Sequence, residues 1–238
     1  MMTGEGHGMR YKLKVGVSTS PAAFILPRLQ VELARALPQL DLEFAVADSA
    51  TVRDQVLGRG VELGLVGRHF EHEDLRCEPF LEGDRLVVIV PPGWPLAGER
   101  GTIPLKRLRQ ERFIGRRKGS GTRAAYEPVL AAAGAPLSAL NIVREAADTE
   151  SCLEAVAAGE GVSIVSALAA REAVQAGRVR ALELEALTLV RNLYLISHAR
   201  VELSEAAAAF VELLRECRER CHHFPAGEPP RLEPRAGA

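Results

Sequence analysis

From Lys12 to Ser18 (KLKVGVS) apolar and polar residues alternate with the two-residue period of a strand, and Ser20-Pro21 then reads as a helix cap followed by proline at the first helical position. The helix so opened is predicted to reach about Leu37, with Phe24, Ile25, Leu29, Leu33 and Leu37 on one face, and Pro38 stops it. The pattern then repeats. A strand over Asp41 to Ala47 leads to a cap at Asp48 or Ser49, a helix through Leu57 that ends near Gly58 or Gly60, and a short buried strand over Leu63 to Val66. Strands alternating with helices of this length predict a parallel sheet covered on both faces, with right-handed crossovers and with ligands at the carboxyl ends of the strands.

Further along, Leu75 to Phe80 reads as a strand and Arg85 to Val90 (RLVVIV) as a strongly β-branched one, broken at Pro91-Pro92-Gly93. A second α/β series follows. It consists of a short strand at Phe113-Ile114, a glycine-rich turn at Lys118-Gly119-Ser120-Gly121-Thr122, a helix to about Ala133 and a strand over Asn141 to Ala146. Asp148-Thr149-Glu150 caps another helix through Ala157, and Val162 to Val165 is a buried strand. The last third holds a helix near Ala167 to Val174, strands over Val179 to Leu184 and Thr188 to Ser197, and a closing helix from Ser204 to about Cys217. The predicted class is therefore α/β with two lobes: residues 11–87 with 188–220 form lobe I, residues 88–187 form lobe II, and residues 1–10 and 222–238 are flexible termini.

Composition narrows the field. With 238 residues, of which 47% are hydrophobic, the chain can bury a full core. A formal net charge of −1 supplies no global basic field for gripping nucleic acid. No apolar run is long enough to cross a bilayer, and the leader Met1 to Arg10 lacks the apolar stretch of a secretory signal, so a cytoplasmic protein is expected. Four scattered cysteines, Cys77, Cys152, Cys217 and Cys221, predict reduced thiols rather than a disulfide framework.

Candidate binding residues lie where predicted strands meet helices. Ser18, Thr19 and Ser20 combine three hydroxyls with the unpaired N–H groups of a helix start, which suits an anion; the alternative is that they cap the helix and satisfy their own turn. Ser120, Gly121 and Thr122 occupy a second strand-to-helix turn whose glycines would let a ligand approach the backbone, although it matches neither the phosphate loop nor the dinucleotide fingerprint. Thr149 offers a hydroxyl and an N–H, with a purely capping role as the rival. Gly67 and Arg68 follow the third strand, where Arg68 either pairs with an anionic group or lies in a solvated loop.

Groups for turnover are sparse. HExxH, GxSxG and zinc-finger spacings are all missing from the sequence. Cys217 and Cys221, with His222 and His223 beside them, read as a fraying helix end rather than a metal site, and no cofactor is expected.

Taken in order, KLKVGVSTSPAAFILPRL, VELGLVG, LVVIVPPGWPLA, RKGSGTR and DTESCLEAVAAGEGVSIVS resemble the effector-binding domain of LysR-type transcriptional regulators over roughly Lys12 to Glu219. The resemblance implies two Rossmann-like lobes joined by two crossover strands, as in type 2 periplasmic binding proteins, with a small, anionic effector held in the cleft between them. It implies Ser or Thr at the starts of the first-lobe and second-lobe helices, which singles out Thr149. It also implies a homodimer or homotetramer, and DNA contact only through a winged helix-turn-helix that this sequence does not contain. An enzyme or a solute-binding protein on the same scaffold is the alternative.

Overall fold

The computed structural model describes the backbone of residues 11–95 and 101–221 and, within these, every side chain except those of residues 28–31 and 217–221. The predicted termini, the Leu29 side chain and the Cys217, Cys221, His222 and His223 group lie outside the described residues. The contacts divide the chain into two compact units. Unit 1 holds residues 11–81, 119–121 and 192–221, and unit 2 holds residues 82–118 and 122–191, as far as these are described.

Unit 1 opens with strand β1 (Tyr11–Ser18), helices α1 (Thr19–Phe24) and α2 (Leu26–Ala36), strand β2 (Leu40–Ala47), helix α3 (Ser49–Leu57) and strand β3 (Leu63–Val66). Strand β1 lies between parallel β2 and β3, with Ser18 opposite Ala47 and Val17 opposite Leu65. The carboxyl ends of three strands therefore coincide. Two expectations need correction. Ser18, not Ser20, is the N-cap residue of α1, with extended angles and no side-chain capping bond, while Ser20 is the second residue of the helix. Proline fits anywhere in a first turn because none of those N–H groups has an intrahelical partner, so Pro21 did not fix the start. The predicted single helix is broken at Ile25, since Pro27 brings no N–H to continue the ladder.

The chain then enters strand β4 (Leu75–Val90), one 16-residue strand where two were predicted, because polar Glu82 to Asp84 read as a break. Unit 2 continues with β5 (Thr102–Ile103), helix α4 (Leu105–Leu108), β6 (Arg112–Arg116), α5 (Gly121–Ala132), β7 (Asn141–Ala146), α6 (Thr149–Ala157), β8 (Ser163–Ser166), α7 (Ala167–Gln175) and β9 (Arg180–Leu184). Strand β10 (Val190–His198) returns to unit 1, where it pairs antiparallel with β3, and helix α8 (Glu205–Cys221) follows. On α8, Ala207, Phe210 and Leu214 are buried, and the Phe210 ring lies 6.4 Å from that of Phe44 on β2.

Unit 2 explains why RLVVIV is apolar without interruption. Strand β4 is flanked antiparallel by β8 and β9, and its alternate residues feed two cores. Leu86, Val88 and Val90 pack with Phe113, Tyr126 and Leu130, whereas Val87 and Ile89 pack with Ile114, Cys152 and Val156. A strand covered on both faces loses the polar half of its alternation. Unit 1 builds its own core from Val52, Val56, Val61, Val66, Phe70 and Ile196.

Candidate functional site

In unit 1 the β1, β2 and β3 ends gather small polar groups. Ser18, Ser20 and Ser49 are 3%, 2% and 1% exposed, so their hydroxyls sit in the protein rather than in bulk water. The Gly67 N–H donates to Ser49 Oγ at 3.1 Å, and Asp48 caps α3 by accepting from the Thr51 N–H at 2.8 Å. The turn before α5 joins this group: Ala50 N–H donates to the Gly119 carbonyl at 3.3 Å. A Cβ on Gly121 would stand 2.7 Å from the Gly67 carbonyl carbon and 2.8 Å from Ser49 Oγ, so this glycine is required by close backbone approach. Ser120 is buried beside it. Arg68, in the loop after β3, is half-buried with its guanidinium 4.4 Å from the centre of the Phe70 ring, a cation–π contact.

Unit 2 gathers a different set. Arg116, the last residue of β6, is 1% exposed; its Nη1 donates to Thr149 Oγ1 at 3.1 Å and its Nη2 to the Ala147 carbonyl at 3.4 Å. The Arg116 N–H donates to the Tyr126 hydroxyl at 3.3 Å. Burial pushes the Tyr126 phenol up to about 12, so it stays a neutral hydroxyl. Burial holds Arg116 below the ordinary guanidinium value; Cys152, and less strongly Tyr126 and Asp148, oppose it, while the Arg191 charge adds to it. On the far side of Thr122, Arg191 Nη1 donates to Thr122 Oγ1 at 2.9 Å and Arg191 Nε to Asp84 Oδ2 at 2.8 Å, while Ser166 Oγ donates to Asp84 Oδ1 at 2.7 Å.

The predicted residues thus fall into two sets: Ser18, Thr19, Ser20, Gly67, Arg68, Ser120 and Gly121 in unit 1, and Thr122 and Thr149 in unit 2. Arg116, Asp84, Ser166 and Arg191 escaped the sequence reading. Their signal was nevertheless present. Arg191 stands two residues from both Leu189 and Leu193, and Asp84 two before Leu86, so each charge occupies an inward position of an apolar row, where a partner is needed.

Thr149 is the first residue of α6, whose N-cap Asp148 accepts from the Ser151 N–H at 2.7 Å. Partial burial works against the Asp148 carboxylate, but the Ser151 hydrogen bonds and the Arg116 and Arg117 charges outweigh it and hold its pKa below the ordinary value. A lowered folded-state pKa contributes stability above the unfolded value, which is lost as pH falls through the folded one. Asp148→Asn should therefore be less stable than the native chain at pH 7, and the two should converge in urea titrations carried below about pH 4.

Among the described residues no group of three or more His, Cys, Asp or Glu could hold a metal ion, and no helix is long and apolar enough to cross a membrane.

An α/β chain of two units with hydroxyls and buried guanidinium groups at strand ends defines a ligand-binding module. The LysR substrate binding domain model matches residues 6–218, and the chain belongs to that family. It is 32% identical over 206 residues to the uncharacterized HTH-type transcriptional regulator MJ0300 of Methanocaldococcus jannaschii, covering 85% of this chain and 67% of the relative. To the HTH-type transcriptional regulator CysL of Bacillus subtilis it is 29% identical, over 88% of this chain and 68% of the relative. The CcmR regulatory domain of Synechocystis PCC6803, solved in complex with 2-PG, matches with a TM-score of 0.78 and 27% identity over 87% of this chain and 97% of that one. The fold is that of type 2 periplasmic binding proteins, and the two relatives MJ0300 and CysL are transcriptional regulators, not enzymes.

Proposed function

We propose that the chain senses a small anionic effector held in a cleft between its two lobes, with closure as the output. In this reading the first lobe contributes Ser18, Thr19, Ser20, Gly67 and Arg68, and the second contributes Thr149 with the Ser120, Gly121 and Thr122 turn. The lobes are residues 11–87 with 188–220, and residues 88–187. The observation that carries it is the Thr149 hydroxyl, buried at a helix start and 3.1 Å from a buried guanidinium. An anion gains there from oriented donors in a site of low dielectric. The similarity to a regulatory domain solved with 2-PG supports a small-molecule ligand.

The effector shifts an equilibrium between open and closed lobes by its preference for the closed one. The chain acts in the cytoplasm as a homodimer or homotetramer, and contact with DNA runs through a winged helix-turn-helix of a full-length regulator. A thermal-shift screen against organic acids, phosphorylated metabolites and inorganic anions tests the binding. A ligand at about 100 times its Kd should stabilise the native chain by about 2.7 kcal/mol. That gain should fall sharply in Ser18→Ala and in Thr149→Ala. A compound whose gain survives both variants binds elsewhere and refutes the assignment.

A further inference from the structure

Unit 1 holds a cavity of about 280 Å³, close to the lower end of the range for small-molecule pockets, about 300 Å³. Its apolar wall is made by Val56 and Val61, both buried, together with Val201 and Leu203, and every residue that lines it belongs to unit 1. It lies where α3 ends and before β3 begins, whereas the residues proposed for the effector follow the carboxyl ends of β1 and β3 or stand at helix starts. The two places are distinct.

Most of the charged groups around this cavity are already engaged. Lys14 Nζ pairs with Glu43 at 2.9 Å, Glu62 accepts from the Ser204 N–H and hydroxyl, and His198 Nδ1 accepts from the Arg200 N–H at 3.2 Å. Arg59 and Glu202 are the exceptions. Both are exposed at the mouth of the cavity, and among the described residues neither side chain has a hydrogen bond or an ion pair, not even with the other.

The backbone of Arg59 adds a second observation. Its φ is 57°, in the left-handed region that glycine favours. Helices α5, α6 and α7 end in the same way, with the N–H of one residue bonded three positions back and the next N–H five back, and each places a glycine there: Gly134, Gly159 and Gly177. Helix α3 makes the same two bonds through Arg59 and Gly60 but puts arginine in the strained position. Backbone strain kept where glycine would remove it points to a use for the side chain.

We propose that this cavity is a second binding site, for an apolar α-amino acid. Arg59 takes the carboxylate and Glu202 the ammonium, each through charge-assisted hydrogen bonds, while the hydrocarbon chain covers Val56, Val61, Val201 and Leu203. One molecule thus supplies the partner that each of the two free charges lacks and buries the apolar wall. The site is independent of the effector reading, since it shares no residue with the proposed cleft.

The test is thermal unfolding of the full chain at neutral pH with leucine, valine or methionine, and with two analogues of leucine: isocaproate, which lacks the ammonium, and isoamylamine, which lacks the carboxylate. At about ten times its Kd, an apolar amino acid should raise the midpoint by about 3 °C or more, and both analogues should bind at least about tenfold more weakly. Arg59→Gly should unfold at or above the native midpoint in the absence of ligand, because glycine adopts this backbone without strain, yet it should lose the rise. Glu202→Gln, at an exposed position, should keep the native midpoint and also lose it. An arginine that serves only the helix end would leave the rise intact in both variants.

No rise with any of the three amino acids overturns the site, as does isocaproate or isoamylamine binding as well as leucine, or a rise that persists in both variants. A rise abolished by Ser18→Ala or Thr149→Ala and kept in Arg59→Gly and Glu202→Gln places the amino acid in the cleft and refutes the second site.

Discussion

Replacing Asp84 with Ala should lower the stability of the chain by about 3–5 kcal/mol, the range for breaking one partner out of a buried ion pair. Asp84 and Arg191 are joined at 2.8 Å with side chains 0% and 4% exposed, so neither solvent nor salt can replace the lost partner. The substitution also strips Ser166 Oγ of its acceptor. The midpoint of thermal unfolding should fall on the order of 10 °C. Added salt should change the difference little, because screening acts weakly on buried charges. Combining Asp84→Asn with Arg191→Gln should recover much of the loss, since two neutral groups need no compensating charge and contacting residues are not additive. A single variant that unfolds within a degree of the native chain would show that another group neutralises Arg191.

The position of this pair also shows what the sequence could and could not disclose. A short buried apolar run and a capping signal were enough to delimit β3 and the start of α3, and β7 keeps its predicted bounds. Where a strand is covered on both faces, as in Val87 to Val90, the run of apolar residues still announced it. Continuity was harder to read. Glu82 to Asp84 looked like a gap between strands, yet β4 passes straight through as the chain leaves one unit for the other. The short elements Thr102–Ile103 and Leu105–Leu108 escaped because two and four residues carry no period.

For the candidate site, the sequence revealed residues attached to a local signal and concealed those attached to a distant one. Ser18, Thr149 and the Gly119 to Thr122 turn announce themselves through caps and glycines next to strands. Arg116 and Arg191 are important through partners 33 and 69 residues away, Thr149 and Thr122, and only folding brings these together. Gly121 is similar: its glycine was legible as a turn residue, but the reason for it, the Gly67 backbone against its Cα, was not.

Gly161→Ala should be the most damaging small substitution in unit 2. A Cβ at this position would lie 2.3 Å from the Arg112 carbonyl oxygen and 3.0 Å from its carbon, well inside contact distance. The obstacle is backbone, so no side-chain rotation relieves it. That same carbonyl accepts from the Val162 N–H at 2.8 Å, and Ile114 N–H donates to the Val162 carbonyl at 2.8 Å, which together tie β6 to the start of β8. Moving Arg112 aside would strain both bonds and shift Phe113, fully buried in one core of unit 2, and Ile114, buried in the other. Overpacking against an immovable group should cost about 3 kcal/mol, the upper part of the usual range. Urea unfolding should show a lower midpoint with an unchanged slope, meaning lost stability rather than a changed unfolded state. Ala158→Gly, in the same connection but outside the close contact, should cost less, about 1 kcal/mol, and equal losses for the two would remove the steric argument.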